Sequence, residues 1–220
     1  MDREQLKRRA AEAAIDYVRP GMVVGVGTGS TAAHFIDLLA GCRDAIAGTV
    51  ASSDDTAAKL AAREITVLDM AGIDVLPLYV DGADEVDPRL RLIKGGGGAL
   101  TREKILASAA ELFVCIVDRV KLVPQLGAFP LPLEVVPLAR SVVSAAVARL
   151  GGRPRPRTGF VTDNGNIILD VHGLDLSDPE RLERQLDGIP GVLECGIFAF
   201  RPADIVLSAG AAGVERMERS

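Results

Sequence analysis

Strand-like and helix-like segments alternate along the first 127 residues, and this alternation restricts the possible folds more than any other feature of the chain. Short apolar runs, such as MVVGV at 22–26 and FVCIVD at 113–118, are typical of buried strands. We predict helices at residues 2–18, 31–40, 54–64 and 99–112, and strands at residues 22–26, 48–52, 65–70, 75–81 and 113–118. Helices of this length between strands indicate βαβ units around a parallel sheet.

The sequence changes character after Lys121, because four prolines in residues 123–139 predict an irregular segment. The elements predicted beyond it are a helix at 140–152, strands at 158–163 and 167–173 joined by a turn at Asn164-Gly165-Asn166, a helix at 178–192 and a strand at 194–200. The apolar run 203–210 is expected to rejoin the first sheet.

These elements predict an α/β fold. A doubly wound (Rossmann-like), mostly parallel sheet domain is expected at residues 1–127 plus 203–220, with a small inserted α+β domain at residues 128–202.

Composition excludes several classes of function. The formal net charge of −5 argues against a nucleic-acid-binding surface built on bulk positive charge. No run of about 18 apolar residues occurs, so we expect no membrane-spanning helix. The cysteines Cys42, Cys115 and Cys195 match neither a metal-binding spacing nor a disulfide framework. We therefore expect a cytoplasmic protein that binds neither nucleic acid nor membrane.

The glycine-rich segment GVGTGST, residues 25–31, joins the first strand to a helix. Its glycines are spaced two apart, which departs from the dinucleotide fingerprint, and no Gly-Lys-Ser/Thr follows as in a nucleotide-binding P-loop. Backbone N–H groups at a helix N-terminus, with the hydroxyls of Thr28, Ser30 and Thr31, suit a terminal phosphate group. The alternative is a tight turn in which Ser30 or Thr31 only caps the helix.

Acidic residues follow the strand predicted at 75–81. The segment DGADEVDP places Asp81, Asp84, Glu85 and Asp87 at or just beyond the carboxyl end of that strand, where open parallel sheets bind ligands. In isolation, each aspartate could be a turn residue. A divalent-metal loop is a second alternative, but the spacing departs from the EF-hand pattern and no histidine lies nearby.

Lys94 precedes four consecutive glycines, and Glu103 follows in the first turn of the next predicted helix. Four glycines cost backbone entropy and add no packing, so we interpret them as a close approach of the backbone to a ligand. Taken singly, Glu103 could complement the helix dipole and Lys94 could be a solvated surface cation. Together with the glycine loop and the aspartates, they indicate a ligand site.

These motifs together resemble the A-type ribose-5-phosphate isomerase family. The resemblance covers GVGTGST, ASSDDTAAKLA, DGADEVDPRLRLIKGGGGALTREKI, VDRVKLV and TDNGNIILD, in order and over nearly the whole chain. It implies an aldose–ketose isomerase that interconverts D-ribose 5-phosphate and D-ribulose 5-phosphate without a metal or cofactor. It also implies a homodimer or homotetramer.

The resemblance implies roles for individual residues as well. Glu103 matches the catalytic base of the family. The substrate-binding residues that it implies are Thr28, Gly29, Ser30, Thr31, Asp81, Gly82, Ala83, Asp84, Lys94, Gly95, Gly96, Gly97 and Lys121. An enediolate reaction needs a carboxylate to move a proton and a cation to meet the growing negative charge, and Glu103 and Lys94 are the candidates. Asp81 and Asp84 are the candidates for opening the sugar ring.

One departure from the family pattern is Glu194-Cys195, which stands where family members often have a histidine, in the predicted small domain. Two other classes of function stay open at this stage. A non-catalytic sugar-phosphate sensor would keep the phosphate loop without needing Glu103. A nucleotide-dependent oxidoreductase would need the glycine that the fingerprint lacks here.

Overall fold

The structure is a computed structural model that describes residues 2–219. Its helices are α1 (Arg3–Ile15), α2 (Ser30–Leu39), α3 (Asp54–Ala61), α4 (Leu100–Ala109), α5 (Arg140–Arg149) and α6 (Pro179–Asp187). Its strands are β1 (Val23–Val26), β2 (Gly48–Ala51), β3 (Leu78–Asp81), β4 (Glu85–Val86), β5 (Leu92–Ile93), β6 (Phe113–Asp118), β7 (Leu131–Val135), β8 (Arg153–Pro156), β9 (Ile167–His172), β10 (Val192–Cys195), β11 (Ile197–Phe198), β12 (Ile205–Gly210) and β13 (Gly213–Glu218). None of the helices described is long and apolar enough to cross a membrane.

The chain forms two compact units. The first unit contains Met1–Ala83, Arg102–Lys121 and Ala203–Ser220, and the second contains Asp84–Thr101 and Leu122–Pro202. The domain boundaries predicted from the sequence differ from this division at residues 84–101 and 122–127, which belong to the second unit. The reason is strand pairing, because β4 and β5 form a small sheet with β11.

A six-stranded sheet organises the first unit, with strand order β13-β12-β6-β3-β1-β2. All neighbouring strands are parallel except the terminal pair of β12 and β13. The central strand β6 is buried along its whole length, as expected for a parallel strand covered on both faces. The α/β fold predicted from the alternating pattern is therefore confirmed, including the return of residues 203–210 to the first sheet as β12.

Helix α1 covers this sheet through small residues. Its alanines Ala10, Ala11 and Ala14 are fully buried and pack in the same core as Val114 of β6. The helix begins at the N-cap Asp2, whose side chain accepts from the backbone N–H of Gln5 in a capping box.

The second unit contains a four-stranded antiparallel sheet, β10-β7-β9-β8, and the three-stranded sheet β11-β5-β4. Strand β7 lies inside the segment for which the prolines predicted irregular structure, so that prediction was wrong. The carbonyl of Pro132 accepts from Gly196 N at 2.8 Å, just beyond the end of β10. The proline nitrogen faces the same side of the strand, so its missing N–H leaves the ladder between β7 and β9 intact.

Three further strand predictions need correction. Residues 158–163 form no strand, because β8 pairs with β9 instead and residues 157–166 form the connecting loop. Residues 65–70 make only one parallel bridge, from Val67 to Thr49. Residues 194–200 divide at Gly196 into β10 and β11, which belong to different sheets.

Two leucines of the second unit test how strongly its core contributes to stability. Leu133 on β7 is fully buried, whereas Leu138 is 95% exposed. We expect Leu133→Ala to lower the free energy of unfolding by about 2–5 kcal/mol, because it leaves a cavity in a packed core. Leu138→Ala should change it by less than about 0.5 kcal/mol. Urea titration measures both, and equal effects of the two substitutions would contradict this description of the core.

Candidate active site

The glycine-rich loop leads from β1 into α2 in the first unit. Gly29 is the N-cap of α2 and has φ of 111°, a conformation that favours glycine. No side chain among the described residues caps this helix, so the alternative in which Ser30 or Thr31 only caps it does not hold. Because Gly29 and Ser30 are exposed, the first N–H groups of α2 are accessible to an anion.

Thr28 differs from its neighbours because its hydroxyl faces other buried hydroxyls. Its Oγ1 lies 2.8 Å from Ser52 Oγ, donates to Ser53 Oγ at 2.8 Å and lies 3.2 Å from Thr56 Oγ1. Thr56 in turn donates to the carbonyl of Gly27. The Thr28 hydroxyl therefore joins the glycine loop to the segment that follows β2.

Asp81, at the carboxyl end of β3, connects the glycine loop to the DGADE segment. One carboxylate oxygen accepts from the backbone N–H groups of Thr28, at 3.1 Å, and Gly82, at 2.7 Å. The other oxygen accepts from the Tyr79 hydroxyl. Gly27 is required beside this carboxylate, since a Cβ atom there would lie 1.8 Å from Asp81 Cγ.

Glu103 lies in the first turn of α4 and is buried, also within the first unit. The pKa of nearby Tyr79 is raised well above its usual value, first by burial and then by the negative charges of Asp81 and Glu103. Glu103 and Asp81 therefore share one buried electrostatic environment. Lys121, the last residue of a short turn after β6, is partly exposed at the edge of the sheet where β1, β2 and β3 also end.

Lys94 belongs to the second unit and directly follows β5. It is only 2% exposed, so the alternative of a solvated surface cation does not hold. Its backbone N–H donates to the carbonyl of Gly196 at 2.9 Å, and its ammonium group lies 5.6 Å from the centre of the Phe198 ring. A buried ammonium group acts more strongly on nearby negative charge than an exposed one does.

The glycines after Lys94 are held by charged side chains from within the second unit. Asp84 accepts from Gly96 N at 2.8 Å. Arg157 donates to the carbonyl of Gly96 at 3.1 Å, and its guanidinium group is paired with Asp170 at 2.5 Å. These contacts fix both the N–H and the carbonyl of Gly96, so the loop has a defined backbone conformation.

A buried acid that was not predicted from the sequence organises the TDNGN motif. Glu134 on β7 is fully buried and accepts from the side chains of Thr101, Thr162, Asn164 and Asn166. The signal was present in the alternation of LPLEV, where a charged residue occupies a position between apolar ones. A buried charge of this kind requires several hydrogen-bond donors, and the Asn-Gly-Asn loop supplies them.

Comparisons with known proteins show which family this chain resembles. The family model for ribose 5-phosphate isomerase A (phosphoriboisomerase A) matches residues 48–213. The ribose-5-phosphate isomerase A of Bordetella avium is 55% identical over 100% of both chains, and that of Acidithiobacillus ferrooxidans is 56% identical over 97% of this chain and 98% of its own. The crystal structure of the Neisseria gonorrhoeae ribose 5-phosphate isomerase A has a TM-score of 0.97 at 43% identity, covering 100% of this chain and 98% of its own.

A D-ribose-5-phosphate isomerase solved in complex with phospho-erythronic acid is also similar, with a TM-score of 0.94 at 38% identity over 100% of both chains. The mostly parallel sheet of this chain and its similarity to these structures define an α/β isomerase. The chain belongs to the ribose-5-phosphate isomerase A family.

The close approach of Gly27 to Asp81 generates a direct test. We expect Gly27→Ala to displace the Asp81 carboxylate and to lower isomerase kcat/KM by roughly a hundredfold, since a displacement of about 1 Å within an active site can cost that much. The matched control is Gly41→Ala, because a methyl group there meets nothing within 4 Å. Steady-state kinetics of both folded variants measure the difference. Near-normal activity of Gly27→Ala would show that the position of Asp81 is not critical.

Proposed function

We propose that this chain interconverts D-ribose 5-phosphate and D-ribulose 5-phosphate through an enediolate, as an aldose–ketose isomerase of the non-oxidative pentose phosphate pathway. The observation that supports this most is the burial of Glu103 in the first unit, where it shares the environment of Tyr79 with Asp81. A carboxylate shielded from water suits proton abstraction next to a carbonyl group.

Glu103 would remove the proton from C2 of the open-chain aldose and return it to C1. Negative charge then develops on the sugar oxygens, and the buried ammonium group of Lys94 would stabilise it electrostatically. This arrangement needs no metal ion, because the lysine supplies the positive charge.

Asp81 and Asp84 would assist the opening of the sugar ring, which exchanges protons between the ring oxygen and the C1 hydroxyl. The segment Thr28–Thr31 would bind the phosphate group at the uncapped N-terminus of α2. We assign Gly82, Ala83 and the backbone of Lys94–Gly97 to sugar binding, and Lys121 to a further substrate contact. Binding at the phosphate, remote from the reacting carbons, orients the substrate for proton transfer.

Family membership favours this proposal over a sugar-phosphate sensor and over a nucleotide-dependent oxidoreductase. A sensor would not need the buried Glu103, and the glycine loop lacks the dinucleotide spacing. We further propose that the protein is cytoplasmic and assembles as a homodimer or homotetramer, which follows from the family resemblance.

The role of Glu103 is tested by Glu103→Gln, which preserves the shape of the side chain but removes its ability to accept a proton. We expect the variant to fold and to bind ribose 5-phosphate, yet to lose roughly 10² or more in kcat. It should also stop exchanging the C2 hydrogen of the substrate with solvent deuterium, which proton NMR measures directly.

The matched control is Glu111→Gln, which changes an exposed carboxylate just beyond the same helix and should leave turnover unchanged. Near-normal turnover and exchange in folded Glu103→Gln would refute its role as the base and would direct attention to Asp81 or Asp84.

A further inference from the structure

Tyr79 is fully buried on β3, and its hydroxyl group donates to the Asp81 carboxylate two residues further along the strand. Side chains two residues apart on a strand point to the same face, which makes this contact geometrically natural. Because the other carboxylate oxygen accepts from Thr28 N and Gly82 N, donors hold Asp81 on both oxygens. A carboxylate held in this way has a defined orientation.

Packing fixes the Tyr79 ring. The ring stacks on Phe113 of the neighbouring strand β6, with ring centres 4.9 Å apart. On the other side, Gly25 of β1 provides the room, since a Cβ atom there would lie 3.0 Å from Tyr79 Cδ2. The hydroxyl group is therefore presented to Asp81 from a rigid position.

Ser52 lies between Tyr79 and the glycine loop. Its side chain is near enough to Tyr79 to lower the pKa of the phenol slightly, and its Oγ lies 2.8 Å from Thr28 Oγ1. Thr28 begins the segment that we assign to phosphate binding.

We propose that Tyr79 is a positioning residue that orients Asp81 for opening the sugar ring, and that it does not take part in the later proton transfer between C1 and C2. The inference rests on the function proposed above and assigns ring opening to Asp81 within it.

The electrostatic environment of Tyr79 suits this role. Burial and the nearby charges of Asp81 and Glu103 raise the pKa of Tyr79 well above its usual value, and the opposing effect of Ser52 is smaller. The phenol therefore keeps its proton throughout the neutral pH range and remains a hydrogen-bond donor to Asp81.

The two substrates differ in their need for ring opening. Comparing them therefore distinguishes a role of Tyr79 in ring opening from a role in the proton transfer between C1 and C2. Ribose 5-phosphate closes to a five-membered ring through its C4 hydroxyl group, so the enzyme must open that ring first. Ribulose 5-phosphate cannot close a five-membered ring, because the oxygen on C5 bears the phosphate. Exchange of its C1 hydrogen therefore reports proton abstraction without ring opening.

The experiment compares Tyr79→Phe with Tyr17→Phe, the same substitution at the other tyrosine of the chain, whose hydroxyl accepts from Arg216 Nε at 3.0 Å. Each variant is assayed for turnover of ribose 5-phosphate and for initial exchange of the C1 hydrogen of ribulose 5-phosphate with solvent deuterium. We expect Tyr79→Phe to reduce turnover about ten- to hundredfold, the effect of losing a hydrogen bond to a charged group, and to leave exchange nearly unchanged. Tyr17→Phe should change neither rate.

Equal losses in both assays, or no loss in either, would overturn the assignment of Tyr79 to ring opening. If Tyr79→Phe does not fold, Ser52→Ala decides the question, with a smaller loss of turnover and unchanged exchange expected for the proposal and any other pattern counting against it. Failure of the unmodified protein to convert ribose 5-phosphate would refute the proposed function itself, before any variant is compared.

Discussion

The hydrogen bonds around Asp81 connect the glycine loop, strand β3 and the residues directly after β3, which carry predicted site residues of the first unit. Its carboxylate accepts from the loop after β1, from the backbone directly after β3 and from the Tyr79 side chain on β3. A carboxylate buried at the end of a parallel strand requires several donors, and these come from β3 itself and from the segments that follow β1 and β3. The same interactions that satisfy the buried charge also set the position of the glycine loop relative to Asp81 and Gly82 in the first unit.

Buried acids organise the second unit in a similar way. Glu134 gathers the side chains of the TDNGN loop, and Glu85 accepts from the backbone N–H groups of Gly127 and Phe129. Glu183 on α6 accepts from Ala199 N and Phe200 N, directly after β11. In each case a carboxylate satisfies groups of an irregular segment that has no ladder partners, which explains how this unit keeps long loops ordered.

The sequence predicted the doubly wound sheet because hydrophobic periodicity and helix length are local properties, and the order β1, α2, β2, α3 and β3 follows from them. It failed where pairing is decided at long range. Strand β7 was missed because it contains Pro132. The side of the strand on which Pro132 lacks an N–H faces Gly196, just beyond β10, so the ladder to β9 is unaffected, and this is not visible in the sequence. The Asn-Gly turn was assigned to a hairpin, although a buried acid on another strand shapes that loop.

The candidate site was predicted at the level of its motifs. Glycines, aspartates and Lys94 cluster in the sequence itself, whereas the contacts of Tyr79, Glu134 and Arg157 with other segments become visible only in the fold. The central claim is that a carboxylate moves a proton between C1 and C2. The most direct measurement is prolonged incubation of unlabelled ribose 5-phosphate with the protein in deuterium oxide, over many turnovers, followed by mass and NMR analysis of both sugar phosphates. This account predicts that deuterium accumulates at C1 of ribulose 5-phosphate, because the protonated carboxylate exchanges with solvent in a fraction of the turnovers; sugar phosphates that stay free of deuterium after many turnovers would indicate a hydride shift and contradict it.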